Sequence, residues 1–358
     1  LGGAAAAAAW IAAGSSWSIA VLAAAGVFLA AAPAGFIAAS ALPVRGAMER
    51  LAAIGVAIRG GRTLDRMRAV GTIATNIRGG VCIPRARVAE VVVLGGTPVD
   101  GLLGAAAAAA PADHPLGALL RQRAGSSPQE RPEVSIGTAE QMSGRGIAMA
   151  AIAEDVARFE AEGKAVLAVA DGPRLLGAVT IAFDERPGAT ETIEWLNQRG
   201  LRTVLLTRHD AGTAAALMAR FGFSASESGL ERPFDSTLVG PKNAKLRAWI
   251  STGDDEDSAE RADVAIAFGD TADRTPHGDA IITTGSFDSL RRLIEEADRA
   301  QRSAAARSRW LLAYHLVALP VAGGALLPLT GLLPSPFLAA LGSLAALTLS
   351  SLPARRAK

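Results

Sequence analysis

The sequence has few cysteines and histidines, the residues that form disulfides and that most often bind metal ions. It contains a single cysteine, Cys82, which excludes a disulfide framework and a multi-cysteine zinc site. Its four histidines, His114, His209, His277 and His315, do not have metal-ligand spacing. The 36 basic and 34 acidic residues nearly cancel, so the net charge gives no support for nucleic acid as a partner.

Charge is missing altogether from both ends of the chain. None of residues 1–44 and none of residues 310–354 is charged, and half of all residues in the chain are apolar. A helix needs about 20 residues to cross a hydrocarbon core of about 30 Å. Each block is long enough for two spans, so the sequence predicts transmembrane hairpins at 1–44 and 309–358, with turns at 14–18 and 328–336.

Basic residues flank both charge-free blocks. They follow the first block, precede the second and follow it, at Arg45, Arg50, Arg302, Arg307, Arg309, Arg355, Arg356 and Lys358. Because Lys and Arg favour the cytoplasmic side of a membrane, we expect a multi-pass protein of the cell membrane whose bulk is cytoplasmic and whose partner is the lipid bilayer. The sequence begins at Leu1 rather than Met, and we expect an upstream portion.

The charged middle of the chain has the pattern of an α/β protein. We predict strands at 71–75, 201–206, 264–267 and 280–283, helices at 189–198 and 212–220, and a hairpin formed by 165–170 and 176–182. This order favours a doubly wound parallel sheet, whose ligands would lie beyond the strand ends near Asn76, Thr207 and Gly253. A small inserted domain is predicted at 99–173, between a stalk and first sheet portion at 45–98 and the remainder of the sheet with its stalk at 174–308.

Several short motifs occur in an order that resembles the P-type cation-transporting ATPases, and most closely their heavy-metal subgroup. The resemblance covers nearly the whole chain and rests on Ala32-Pro33-Ala34 in place of Cys-Pro-Cys, on His114-Pro115, on Asp184 and Arg186-Pro187, on Thr207, on Gly253-Asp254 and on Tyr314. It implies a phosphorylation domain of the haloacid dehalogenase-like fold with a reduced nucleotide-binding-like domain inserted. The same family uses ATP and Mg²⁺.

The resemblance also assigns roles to individual residues. It implies catalytic positions at Asn76, where the family has its phosphorylated Asp, and at Thr207 and Asp184. It implies nucleotide binding by His114, Pro115 and Lys245, and Mg²⁺ binding by Asp254. It places Pro33, Tyr314 and His315 on the transport path.

The chain departs from the family at the motif positions that carry catalytic and metal-binding residues. Val70 to Gly80 aligns without a gap, so Asn76 takes the place of the nucleophilic Asp and Ile77 and Arg78 replace the following Lys and Thr. The family's nucleophile is an ionised carboxylate, whereas the amide of Asn76 is neutral. The Thr-Gly-Asp motif becomes Thr-Arg-His at 207–209, and the alanines at 32 and 34 have no metal-donor atoms.

These departures favour a pseudo-ATPase, an N-terminally truncated member that does not form the aspartyl phosphate. One alternative is an active metal-cation transporter with divergent motifs. Another is a nucleotide-binding regulatory subunit, in which His114 and Pro115 hold adenine without hydrolysis. The family's actuator domain would lie before Leu1, so we also expect a separate actuator-domain chain or another membrane protein as a partner.

Overall fold

The chain divides into a helical unit and an α/β unit in the computed structural model. The helical unit comprises Leu1–Ala53 and Leu293–Lys358, and the α/β unit comprises Ile54–Arg292. The structure describes residues 1–31, 33–111, 115–125, 133–207, 211–229, 245–252, 256–269 and 278–351.

Helices and strands alternate through the middle of the chain, and helices occupy both ends. The helices are α1 (Gly2–Ala12), α2 (Trp17–Ala30), α3 (Pro33–Ala52), α4 (Gly61–Ala69), α5 (Val99–Ala109), α6 (Pro115–Ala124), α7 (Ala139–Gly144), α8 (Ala153–Ala161), α9 (Ala189–Gln198), α10 (Ala211–Phe221), α11 (Glu256–Arg261), α12 (Phe287–Ala322), α13 (Leu327–Thr330) and α14 (Pro336–Ser351). The strands are β1 (Val56–Ile58), β2 (Val70–Thr75), β3 (Cys82–Val93), β4 (Val134–Gly137), β5 (Ala165–Asp171), β6 (Arg174–Glu185), β7 (Arg202–Leu206), β8 (Ala225–Glu227), β9 (Leu246–Ser251), β10 (Val264–Phe268) and β11 (Ala280–Ile282).

The helical unit has its turns where the sequence predicts them. Helix α1 ends at Ala12 and α2 begins at Trp17, around the predicted turn at 14–18. The predicted turn at 328–336 follows α12, but its first three residues belong to α13 and its last, Pro336, begins α14.

Two membrane-crossing hairpins are not supported by the helix lengths. Within the described residues, one stretch, Trp17–Ala52, is long and apolar enough to cross a membrane. Helix α1 is apolar but has 11 residues, about 16 Å at 1.5 Å per residue, which is short of a hydrocarbon core of about 30 Å. The prediction was based on the length of the whole uncharged block. The turn and the helix ends use part of that length, so the helices themselves are shorter.

The large sheet of the α/β unit has the strand order β1-β11-β10-β9-β2-β7-β8. Every pairing in it is parallel except that of β1 with β11. Strand β2 lies at the centre between β9 and β7, and its Ala74 pairs with both Trp249 and Val204. Trp249 is fully buried there and packs with Ala74, Val204 and Leu206, so an apolar core fixes the strands whose ends form the site.

The small sheet is antiparallel and has the order β3-β6-β5-β4. Its side chains alternate between two cores, as the pleat of a strand requires. On β5, Val169 packs with Leu102 and Leu120 of α5 and α6, whereas Val166 packs with Phe159 of α8. The sheet is therefore covered by helices on both faces.

The small sheet takes in more of the chain than the 99–173 predicted for the small domain. It begins at Cys82 and ends at Glu185, and these two residues pair with each other where β3 and β6 enter the sheet. Strand β6 pairs with both β3 and β5, so β3 and β6 belong to the small sheet and not to the large one. A sequence pattern indicates where strands lie but not which strands pair with each other. The predicted domain boundaries therefore differ from those of the observed sheet.

The predicted elements of the large sheet are confirmed. The strand at 71–75 is β2, the helix at 189–198 is α9, the strand at 201–206 is β7 and the helix at 212–220 is α10. The predicted strands at 264–267 and 280–283 are β10 and β11. The doubly wound α/β fold expected from this order is therefore present.

Candidate functional site

The candidate site lies at the carboxyl edge of the large sheet. Asn76 directly follows β2, Thr207 directly follows β7, and Thr252 directly follows β9. Because β2, β7 and β9 are parallel neighbours, their carboxyl ends meet at one edge, and the structure places Asn76 and Thr207 at this edge.

A tight loop follows Asn76 and fixes its position. The backbone N–H of Val81 donates to the carbonyl of Asn76 at 3.0 Å, and the N–H of Cys82 donates to the carbonyl of Ile77 at 2.8 Å. A Cβ atom at Gly80 would lie 2.1 Å from Thr75 Oγ1 and 2.2 Å from the carbonyl oxygen of Asn76. Glycine is therefore required where the loop folds back on the nucleophile position.

A buried arginine supports this loop from below. Arg186 is completely buried, and its guanidinium donates to the carbonyl oxygens of Gly80 at 2.8 Å and Gly79 at 3.3 Å. It also donates to the carbonyl of Gly285 at 3.2 Å and lies 4.0 Å from the centre of the Phe268 ring. The Arg-Pro motif therefore holds the backbone of the loop.

Buried threonines lie at the strand ends near Asn76. Asn76 Oδ1 is buried and receives no hydrogen bond from a described residue. Thr75, Thr207 and Thr252 are buried around it, and Thr75 Oγ1 donates to the carbonyl of Ile250 at 2.9 Å. Ile77 is buried, so an apolar side chain stands where the family has a lysine.

The described residues at this edge do not by themselves form a magnesium site. Mg²⁺ prefers several hard oxygen ligands with carboxylates among them. Asn76 offers one neutral amide oxygen, and within the described residues no group of three His, Cys, Asp or Glu side chains is placed to hold a metal. Asp254, predicted to bind Mg²⁺, lies outside the described residues, as does His114.

Cys82 does not supply a substitute nucleophile. Its thiol is buried at the start of β3, and burial raises its pKa from 9.0 to about 11, while Arg220 opposes the shift. A thiol with this pKa stays protonated near neutral pH, and the thiolate is the reactive form. Cys82 is therefore a small buried side chain of the core.

The structure does not bring two of the predicted site residues to the site. Lys245 directly precedes β9, and its side chain packs against Gly71 near the start of β2. It therefore lies at the amino edge of the parallel sheet, opposite to Asn76, which corrects its prediction as a nucleotide-binding residue. Asp184 is an exposed residue of β6 whose carboxylate pairs with Arg87 at 2.9 Å, so it belongs to the small sheet.

Pro33 interrupts the first pair of helices in the helical unit. Because proline has no N–H, it cannot donate to the carbonyl of Leu29, and α3 begins at Pro33 after α2 ends at Ala30. The carbonyl of Leu29 instead accepts a hydrogen bond from Ser343 Oγ. His315 Nε2 lies 2.6 Å from the carbonyl oxygen of Ala31, so side chains from α12 and α14 contact carbonyls on both sides of the break.

Tyr314 and His315 lie next to this break, and their role on a transport path stays a prediction. His315 is buried, with its ring 5.1 Å from that of Phe36 and 5.0 Å from that of Tyr314. Its other ring nitrogen, Nδ1, lies 2.6 Å from the carbonyl oxygen of Leu311. Tyr314 Oη lies 3.5 Å from Ser343 Oγ, so Ser343, which the sequence analysis does not single out, joins the cluster.

Pro115 begins α6, the first helix after the stretch that contains His114. A proline at a helix start is common because the missing N–H has no helical partner there. The role of His114 and Pro115 in nucleotide binding stays a prediction.

Comparison with known proteins agrees with the resemblance noted in the sequence. Residues 79–272, more than half of the chain, match the family described as haloacid dehalogenase-like hydrolase. A copper-transporting P-type ATPase of Rhizobium leguminosarum bv. viciae is 26% identical over 92% of this chain and 42% of its own length. A copper-exporting P-type ATPase of Mycobacterium tuberculosis (strain ATCC 25618 / H37Rv) is 26% identical over 90% of this chain and 45% of its own.

A solved structure shares the fold. The crystal structure of a zinc-transporting PIB-type ATPase in the E2·Pi state matches 96% of this chain and 58% of its own with a TM-score of 0.72 and 22% identity. The chain spans less than half the length of the curated relatives it matches. The predicted resemblance to the heavy-metal P-type ATPases is confirmed.

Proposed function

The chain belongs to the haloacid dehalogenase-like hydrolases, and from this premise we propose that it is a pseudo-ATPase. It has the architecture of a heavy-metal P-type ATPase, but it does not transfer the γ-phosphate of ATP to itself. The observation on which this proposal depends is the asparagine at position 76, directly after the central strand β2.

The proposal follows from the chemistry of the lost step. An aspartyl phosphate forms when an ionised carboxylate oxygen attacks the γ-phosphorus and ADP leaves. The amide of Asn76 has no negative charge, and its oxygen is a feeble nucleophile. Gly80 and Arg186 hold the backbone of the loop in place. The loop therefore keeps its conformation around Asn76, which does not react.

A labelling experiment tests this proposal directly. Membranes containing the full chain are incubated with ATP labelled at the γ-phosphate, quenched in acid and treated with hydroxylamine, which cleaves acyl phosphates. We expect no hydroxylamine-sensitive band at 36.5 kDa. A band at this mass that disappears with hydroxylamine, and that is lost in Asp254→Asn or Asp184→Asn, contradicts the proposal and supports an active transporter with an unusual nucleophile.

The helical unit supports the same proposal for transport. The alanines at 32 and 34 have no donor atoms for a soft metal ion. The carbonyl of Leu29, which Pro33 frees, accepts from Ser343 Oγ, and His315 Nε2 lies against the carbonyl of Ala31. Backbone oxygens that a break in a helix exposes are therefore already engaged by side chains, and we propose that the unit does not move metal.

We also propose that residues 1–44 and 309–358 form hairpins in the cell membrane, with the α/β unit in the cytoplasm. The helical unit leaves large apolar side chains exposed, among them Phe28 at 78%, Leu316 at 77% and Phe337 at 70%. Exposure of this kind suits contact with lipid better than contact with water. The basic flanks favour the cytoplasmic side for the ends of both hairpins.

Cysteine labelling in intact cells tests this topology. Gly14→Cys and Gly331→Cys place a thiol in each turn, where added atoms have open space. We expect a membrane-impermeant maleimide to label both variants from outside. The natural chain is a matched control, because its one cysteine, Cys82, is buried. Labelling of neither variant before lysis, with labelling of both after it, contradicts the topology.

A further inference from the structure

One face of α12 is exposed along about four helical turns and changes from basic to apolar along its length. Arg302, Arg309 and Leu316 are seven residues apart, so they lie on the same side of the helix. Ala305 and Leu312 fall between them at helical spacing. All five side chains are exposed. The helix therefore presents a basic end and an apolar end on one continuous surface, the α12 face.

The apolar end of the α12 face begins beyond Trp310. The exposed fractions are 51% for Trp310, 63% for Leu312 and 77% for Leu316. Leu316 lies about 10 Å beyond Arg309 along the helix axis, at 1.5 Å per residue. Tryptophan is enriched at the boundary between lipid headgroups and acyl chains. The order of charge, indole and apolar side chains along this face is therefore the order of headgroup, boundary and acyl chain in a phospholipid.

The charge of the basic end is not neutralised by acidic side chains. Within the described residues Arg302 and Arg309 form no ion pair, whereas Arg299, one turn before Arg302, pairs with Glu296. From residue 299 to the end of the chain the sequence has no Asp or Glu. Basic residues grouped at the cytoplasmic end of a membrane helix attract anionic lipids. The basic end is therefore complementary to a partner that carries negative charge.

We propose that the α12 face binds an anionic phospholipid. The headgroup phosphate would lie at Arg302 and Arg309, because a guanidinium donates two charge-assisted hydrogen bonds to phosphate oxygens. One acyl chain would lie along Leu312 and Leu316, which a soluble acidic partner would leave uncovered. A zwitterionic lipid has the same phosphate but also its own cation, so net charge distinguishes the two lipids. The proposal rests on the membrane location proposed above and is independent of the chemistry at Asn76.

Tryptophan quenching by brominated lipids tests the site on the full chain in phosphatidylcholine nanodiscs, because Trp310 directly follows Arg309. The signal of Trp310 is the difference between the natural chain and Trp310→Phe. Increasing fractions of brominated phosphatidylglycerol or of brominated phosphatidylcholine then give the relative association constant of the two lipids. We expect phosphatidylglycerol to be favoured at least about fivefold, since each arginine near a membrane surface contributes about this factor.

Variants of the basic end locate the preference. Arg302→Gln and Arg309→Gln should each lower it about fivefold. Arg309→Lys, which keeps the charge, should retain most of it. The matched control is Arg123→Gln, because Arg123 is an exposed arginine on α6 of the α/β unit. It should leave the preference unchanged.

The outcomes separate this proposal from the membrane location on which it rests. Equal quenching by the two lipids, or a preference that neither glutamine variant lowers, overturns the lipid site and leaves the membrane location intact. Quenching of Trp310 by neither lipid overturns both. Glycerol 3-phosphate at about 10 mM, a concentration at which only weak sites stay empty, tests a free phosphate as the ligand, with sulfate at the same ionic strength as the control. Loss of the lipid preference with glycerol 3-phosphate alone would overturn the lipid as the partner.

Discussion

In both the Asn76 loop and the break at Pro33, side chains contact backbone carbonyls, but they do so in two different ways. In the loop, a buried cation holds the carbonyls of Gly79 and Gly80, while the side-chain oxygen of Asn76 has no described partner. At the break, the carbonyl of Leu29 accepts from a side chain, and that of Ala31 lies against a second one.

The two regions differ in the number of side chains that support the backbone. In the loop one arginine serves several carbonyls, so the support is concentrated in a single side chain. At the break the support is divided between Ser343 and His315, on α14 and α12. Changes at the loop should therefore have large effects on stability, and changes at the break should have small ones.

The largest effect is expected for Arg186→Met. This change removes a fully buried guanidinium and leaves the carbonyls of Gly79, Gly80 and Gly285 without its hydrogen bonds. We expect the free energy of unfolding of the α/β unit to fall by about 3–5 kcal/mol. Urea-induced unfolding of the full chain, followed by circular dichroism, measures this change.

Arg87→Met is the matched control for that experiment. Arg87 forms an exposed pair with Asp184, and such pairs contribute about 0–1 kcal/mol. If Arg186→Met lowers stability no more than Arg87→Met does, the loop is not supported by its arginine and the comparison fails.

The next largest effect is expected for Gly80→Ala. The new Cβ would lie 2.1 Å from Thr75 Oγ1 and 2.2 Å from the carbonyl of Asn76, and one of these contacts is with backbone, which cannot turn away. Overpacking of this kind costs about 1–3 kcal/mol. Gly144→Ala, where a Cβ meets open space, should change the midpoint of thermal unfolding little. Equal midpoints for the two variants would contradict the crowding at Gly80.

Cys82 provides a pH test of the same loop. Because its folded-state pKa of about 11 exceeds its ordinary value of 9.0, its contribution is fully present below pH 9 and is lost as the pH rises towards 11. Two pKa units correspond to about 2.7 kcal/mol at most. Between pH 8.5 and about 10.5, we expect the urea midpoint to fall more steeply for the natural chain than for Cys82→Val. Parallel curves would show that the thiol is not buried.

The sequence was sufficient for β2, β7, β10 and β11 of the large sheet and for the position of Asn76. Strands β2 and β7 are short apolar runs beside the clear helical pattern of α9, and parallel strands necessarily gather their carboxyl ends. The sequence was not sufficient for β3, in which Pro84 and alternating arginines hide the strand pattern. Without β9 in the prediction, nothing indicated that Lys245 precedes a strand and therefore lies at the opposite edge.

Tertiary contacts explain the remaining differences. Arg186 is identifiable as a motif residue, but its complete burial depends on loops that come together only in the fold. Ser343 is one serine in an apolar helix, and its importance comes from the carbonyl of Leu29, more than three hundred residues away in the chain.

The smallest effect is expected for Ser343→Ala, which removes the hydroxyl that donates to the carbonyl of Leu29. Hydrogen bonds between helices in a membrane-type environment contribute about 0.6–2 kcal/mol, so we expect a loss of about 1 kcal/mol in a thermal or detergent titration of the full chain. Ser40→Ala is the matched control, because Ser40 is exposed and donates only within α3. If the two variants behave alike, the carbonyl freed by Pro33 does not need Ser343. If Ser343→Ala instead destabilises as strongly as Arg186→Met, the support at the break is as concentrated as that in the loop, and the distinction between the two regions fails.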